Sequence, residues 1–94
     1  MNLKIHINNV HGSQMAAKIT GIFILDDHTF RFNAIAFGRI GGQNIGAKIS
    51  KTTEKELIKL GYDTEEVIML LQRNLLQGDL NLPKGLKRES FADN

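Results

Sequence analysis

The chain has no cysteine among its 94 residues, a single proline and a single tyrosine. Without cysteine there is no disulfide, no thiol nucleophile and no thiolate metal site, a composition suited to a reducing cytosol or to a compartment of either redox state. Long apolar runs are lacking too. Even the longest, Val67 to Leu71, falls far short of the ~20 residues a membrane span requires. The opening Met1-Asn-Leu-Lys-Ile-His6 holds no apolar segment of a secretory signal. A cytoplasmic protein with no membrane partner is expected. Nor does one charge dominate: 12 basic side chains stand against 10 acidic ones, a net charge of +2.

Motifs that carry chemistry are equally scarce. The glycines between Phe37 and Asn44 fit neither G-x-G-x-x-G nor G-x-x-x-x-G-K-[ST], so Gly41-Gly42 reads as a flexible turn rather than a phosphate cradle. Ser13, Ser50 and Ser90 lie outside any G-x-S-x-G elbow. Asp26-Asp27-His28 groups two carboxylates with an imidazole, the donor types of metal and acid–base sites. Aspartates also favour turns, and adjacent side chains at a hairpin tip diverge into water, so a structural turn is the stronger reading. His6 and His11 share no ligand spacing with that cluster. No catalytic residue, metal or cofactor is expected, and 94 residues leave little material for a deep pocket.

What is present is a pattern of strands. Leu3-Lys-Ile-His-Ile7 alternates strictly, with Leu3, Ile5 and Ile7 on one face, and a turn-rich Asn8–Ser13 follows. Ala17 to Phe37 reads as a hairpin folding back at Asp26-Asp27. Phe23 lies opposite Phe30 or Phe32, and both registers place Ile19, Phe23, Phe30, Phe32, Ala34 and Ala36 on one face. The small residues Ala17, Gly21, Ala34 and Ala36 leave room for helices to press close. Ile45 to Ile49 supplies a fourth strand.

Two helices follow. Thr53 and Glu56 have capping-box spacing, so a helix is expected from Glu54 to Leu60, stopped by Gly61. Asp63 and Glu66 repeat the spacing and open a second helix from Thr64 to about Gln77. Tyr62, between them, can contact Leu57 behind and Val67 ahead, which would stiffen the corner. In the second helix Val67, Ile68, Leu71 and Leu75 form a core stripe, while Met69 and Leu76 lie nearly opposite with Leu70 between. That spare stripe is either covered by Leu80 and Leu82 folding back, or offered to another molecule. A homo-oligomer through this helix is one such use. The expected organisation is one α+β domain over residues 1–82, an antiparallel sheet of three or four strands with two C-terminal helices on one face. A flexible polar tail over 83–94 completes it.

The polar face of the sheet then collects Lys4, His6, Lys18, Thr20, Arg31, Asn33 and Lys48, together with the apolar Ile22, Ile24, Ile35 and Phe37. A mixed apolar and basic surface of this kind suits a protein partner, a nucleic-acid-binding complex among the candidates. A basic face also suits nucleic acid backbone, but the aromatics that stack on bases belong to the opposite side. The helix pair permits a helix-turn-helix reading with Gln72, Arg73, Asn74 and Gln77 as base readers; Glu65 and Glu66 oppose it where phosphates would approach. The expected partner-binding residues are Lys4, Lys18, Ile22, Arg31, Ile35 and Lys48 on the sheet, with Met69, Arg73 and Leu76 on the second helix.

Short, cysteine-free, without catalytic motifs and mixed in secondary structure, the chain resembles in general character small inhibitors encoded by phages and mobile elements, anti-CRISPR proteins among them. The resemblance implies a non-catalytic inhibitor or adaptor that docks on a protein. A small DNA- or RNA-binding regulator is the alternative.

Overall fold

The computed structural model describes residues 2–12, 16–37, 44–77 and 80–83. Four strands come first: β1 (Leu3–Gly12), β2 (Ala16–Leu25), β3 (His28–Phe37) and β4 (Asn44–Lys48). Helices α1 (Lys51–Lys59) and α2 (Thr64–Gln77) follow, and a two-residue strand β5 (Leu80–Asn81) returns to the sheet. The order across the sheet is β4-β3-β2-β1-β5, antiparallel throughout except that β5 runs parallel to β1. The expected α+β architecture is therefore present, with one short strand added at the edge.

The hairpin β2–β3 is the middle of this sheet. Leu25 pairs with His28, leaving Asp26 and Asp27 as a two-residue loop with positive φ at both positions, 47° and 78°. That is the φ pattern of the type I′ turn, whose twist matches the strands it joins. Phe23 faces Phe30 directly with ring centroids 5.3 Å apart, and Phe32 lies diagonally at 6.3 Å. Of the two registers the sequence allowed, this is the first. Phe23, Phe30 and Phe32 form the floor on which Leu57 of α1 and Val67, Leu71 and Leu75 of α2 pack.

β1 is longer than the five residues its alternation predicts. Ile7 pairs with Gly21 and Asn9 with Thr20, so Asn8 is an extra residue, a β-bulge. The bulge resets the alternation, turning Asn9 to the free face and bringing Val10 onto the core beside Ile19. It also explains Gly21. A Cβ at that position would come within 2.3 Å of the His6 carbonyl oxygen and 3.0 Å of the Phe32 ring. Only glycine fits where the bulged strand and the ring both close in.

The start of α1 differs from the sequence expectation. Ser50, extended at φ −70° and ψ 161°, is the N-cap; its Oγ accepts the Thr53 N–H at 3.1 Å. Thr53 is therefore a buried residue of the first turn, its Oγ1 accepting from the Ser50 hydroxyl, and the helix begins at Lys51 rather than Glu54. The stop is as expected. Gly61 has φ 91°, its N–H reaches the Ile58 carbonyl, and the Tyr62 N–H reaches the Leu57 carbonyl, the paired bonds of a Schellman motif. Asp63 caps α2 through Oδ1, which accepts from Glu65 N–H at 2.9 Å and Glu66 N–H at 3.4 Å.

Leu80 and Leu82 do not cover Met69. Leu80 pairs with Ile5 at the sheet edge, and both leucines pack against the core, while Met69 is 67% exposed. The turn expected at Gly41-Gly42 and the tail from residue 84 lie outside the described residues. No described helix is long and apolar enough to cross a membrane.

Candidate functional site

With both helices on one side, the other side of the sheet is left uncovered by any described residue. Strand register sets its layout. One row runs Lys4–Ile24–Thr29, the next Asn81–His6–Ile22–Arg31, the next Asn9–Thr20–Asn33–Lys48, and the last His11–Lys18–Ile35–Gly46. The six sheet residues singled out from sequence, Lys4, Lys18, Ile22, Arg31, Ile35 and Lys48, thus share one face. Lys4, Lys18, Arg31 and Lys48 are exposed, and Ile22, Ile24 and Ile35 are half-buried.

The cations are not scattered over this face. Each isoleucine has one directly opposite: Ile24 pairs with Lys4, Ile22 with Arg31 and Ile35 with Lys18. Long basic side chains lay their aliphatic stems on apolar neighbours and hold their charge in water. The result is two apolar spots, Ile22 with Ile24 and Ile35 beyond the polar Thr20–Asn33 row, each flanked by cations. No carboxylate stands in these four rows, and the described acidic residues nearest in sequence, Asp26 and Asp27, sit at the hairpin tip. Phe37, 49% exposed at the end of β3, adds one aromatic ring. His6 and His11 have polar company on the face, with Asn9 Nδ2 2.8 Å from His11 Nε2 and Asn81 Nδ2 3.4 Å from His6 Nε2.

A depression of about 200 Å³ opens toward the β4 edge of this face, lined by Lys18, Thr20, Asn33, Ile35, Gly46 and Lys48. Ligand pockets for drug-sized molecules run to ~300–1,000 Å³, so this one suits a single side chain rather than a cofactor. Sequence reading placed Thr20 and Asn33 on the face but missed Gly46. The signal was the alternation through Ile45, Ala47 and Ile49, which turns Gly46 outward with Lys48; its place beside Ile35 depends on the β3–β4 register.

The helix residues singled out from sequence are not brought together in the same way. Met69 and Arg73 line a shallow hollow on α2 with Glu66 and Leu70. Leu76 is half-buried and packs against the core, so it belongs with Val67 and Leu71 rather than with Met69. This surface lies on the helical layer, away from the uncovered sheet face.

The Asp26-Asp27-His28 tip is engaged in structure. Asp26 Oδ1 accepts the Asn2 N–H at 2.9 Å, Oδ2 accepts the Tyr62 hydroxyl at 2.8 Å, and the Asp26 N–H donates to the Asn2 carbonyl at 3.0 Å. The Asn2 main-chain hydrogen bond, then the Tyr62 hydroxyl, hold the Asp26 carboxyl below its ordinary pKa. The same bond to Asp26 raises that of Tyr62. Among the described residues no three His, Asp or Glu side chains converge to hold a metal ion.

Comparison with known protein families, with curated proteins and with solved structures finds no match in any of the three. The reading of function therefore rests on the geometry of this face.

Proposed function

We propose that the chain is a small non-catalytic protein-binding module, an inhibitor or adaptor of the kind phages and mobile elements encode, that docks through the uncovered sheet face in the cytoplasm. The carrying observation is the pairing of each free-face isoleucine with a cation and the lack of any carboxylate in those rows. Protein interfaces combine an apolar centre with a polar rim, and complementary charge steers the encounter. The partner surface is accordingly acidic around an apolar patch. The hollow beside Met69 and Arg73 is a second, smaller surface, available to another copy of the chain.

The basic face also supports the alternative of nucleic acid binding, since four cations without carboxylates would track a phosphate backbone. Against this, Phe37 is the one phenylalanine or tyrosine ring on the face among the described residues, and Ile22, Ile24 and Ile35 are aliphatic. Affinity capture from an extract of the source cells, with and without nuclease, separates the two. A stoichiometric protein retained at moderate salt and after nuclease supports the proposal. Retention that nuclease abolishes, with a gel shift falling steeply with salt, transfers the function to nucleic acid.

A further inference from the structure

Among the described residues nothing requires the glycine at position 46. It lies in β4, its φ is outside the left-handed region, and it points to the free face rather than the core. A Cβ there would meet no atom within 4 Å. Glycine weakens a strand, and mid-strand it often marks a place where a ligand or another chain approaches closely.

Its neighbours define what approaches. Ile22 is flanked across the sheet by His6 and Arg31, and Ile24 by Lys4 and Thr29. Ile35 has Lys18 on one side and Gly46 on the other, so it alone lacks a side chain on one flank. The depression of about 200 Å³ is this missing cover. The half-buried Ile35 gives its lining an apolar flank, and the exposed Lys18, Asn33 and Lys48 line it with Thr20. A solubilised face would place a lysine or threonine here, as it does at the equivalent flank of Ile24.

We infer that the notch over Gly46 receives one large apolar side chain from an acidic protein segment, whose flanking carboxylates are met by Lys18 and Lys48. The inference rests on the sheet face being a protein-docking surface and names its anchor. Anchors of this kind, an apolar side chain filling a small pocket inside a polar rim, dominate binding at protein interfaces. Charge complementarity selects the partner, since the rows around the notch offer cations and no carboxylate.

The test is an amide NMR titration of the full chain with terminally blocked pentapeptides. The probes are Glu-Glu-Leu-Glu-Glu, Glu-Glu-Phe-Glu-Glu and Glu-Glu-Ser-Glu-Glu, with a short oligothymidylate beside them. Expected are shifts centred on Lys18, Thr20, Asn33, Ile35, Gly46 and Lys48, with the Leu or Phe peptide bound about tenfold tighter than the Ser peptide. Gly46→Val should fill the notch and remove that preference while its thermal melt matches or exceeds the wild type. Should Gly46→Val prove less stable, Ile35→Ser tests the same point by keeping the notch open and removing its apolar flank; the Leu preference should again vanish. No shift at millimolar peptide, or an unchanged preference in both variants, overturns the notch. Peptide shifts confined to Lys4 and Arg31 overturn the notch but leave the docking face standing. Oligothymidylate binding more tightly than every peptide overturns the protein-docking reading itself.

Discussion

The Tyr62 hydroxyl donates to Asp26 Oδ2 across 2.8 Å, joining the corner between the helices to the tip of the central hairpin. The two residues are 36 positions apart, and Asp26 also holds Asn2 at the start of the chain. One carboxylate thus ties together three segments: the strand leading in, the hairpin tip and the helical corner.

This tie has a definite pH signature. The Asp26 carboxyl has a folded-state pKa below its ordinary value, so its contribution is complete above the unfolded value of ~3.9 and is lost as pH falls through the lower folded one. The Tyr62 phenol has a raised folded-state pKa. Its contribution is complete below the unfolded value of ~10 and is lost as pH rises through the higher folded one. Both groups are open to water, which screens the effect. Asp26→Asn keeps a residue that tolerates positive φ in the turn. It is expected to lower the neutral-pH melting temperature by a few degrees, with the gap to wild type narrowing in strong acid. Tyr62→Phe should lower it similarly, with the gap narrowing in strong base. Melting curves against pH check both. Unchanged neutral-pH melting in the two variants would remove the tie as a stabilising contact.

Gly21 is fixed by sterics alone. Gly21→Ala puts a methyl group against the His6 carbonyl and the Phe32 ring, and about 1–3 kcal/mol of stability should be lost as the bulged strand shifts. Denaturant unfolding measures this directly, and a loss well below that range would mean the bulge yields easily.

Gly61 is fixed by conformation rather than by space. No atom lies within 4 Å of a Cβ there, but φ is 91°. Gly61→Val should cost about 1–2 kcal/mol or more through the left-handed strain on a β-branched residue. A nearby exposed substitution such as Lys59→Ala should cost far less. Equal thermal melts for the two would contradict the Schellman account of this corner.

The outer edge of β4 is guarded by α2. Gln72 Oε1 accepts the Ala47 N–H at 3.0 Å, occupying one of the main-chain donors that an edge strand exposes. Gln72→Ala is expected to cost about 1 kcal/mol and to increase concentration-dependent self-association through the freed edge. Sedimentation analysis over a concentration series would show this, and a monomer unchanged at all concentrations would count against an edge-guarding role.

Much of this arrangement is legible in the amino-acid order, because strands and helix stops are local patterns. The alternation from Leu25 back to Ala17 and on through Phe37 determines which residues face the helices in either register. Gly61 followed by Tyr62 marks the helix end through chemistry confined to six residues. The start of α1 is ambiguous because Ser50 and Thr53 are both good caps, three positions apart, and only the packing of Thr53 into the core decides between them. β5 is too short to carry a period; its pairing depends on where the chain emerges from α2 beside Ile5. The Asp26–Tyr62 bond and the notch at Gly46 both depend on how distant strands and turns are brought together, which no local spacing encodes.

The claim that the sheet face is the docking surface is tested most directly by capture from nuclease-treated source-cell extract with three baits at moderate salt. They are the wild type, the sheet-face variant Lys18→Glu with Arg31→Glu, and the helix variant Met69→Glu. All three substituted positions are exposed, so each bait should melt close to the wild type. Expected is a stoichiometric protein partner retained by the wild type and by Met69→Glu, and lost from the sheet-face variant. Undiminished capture by the sheet-face variant, with loss from Met69→Glu, would contradict it and move the docking surface to α2.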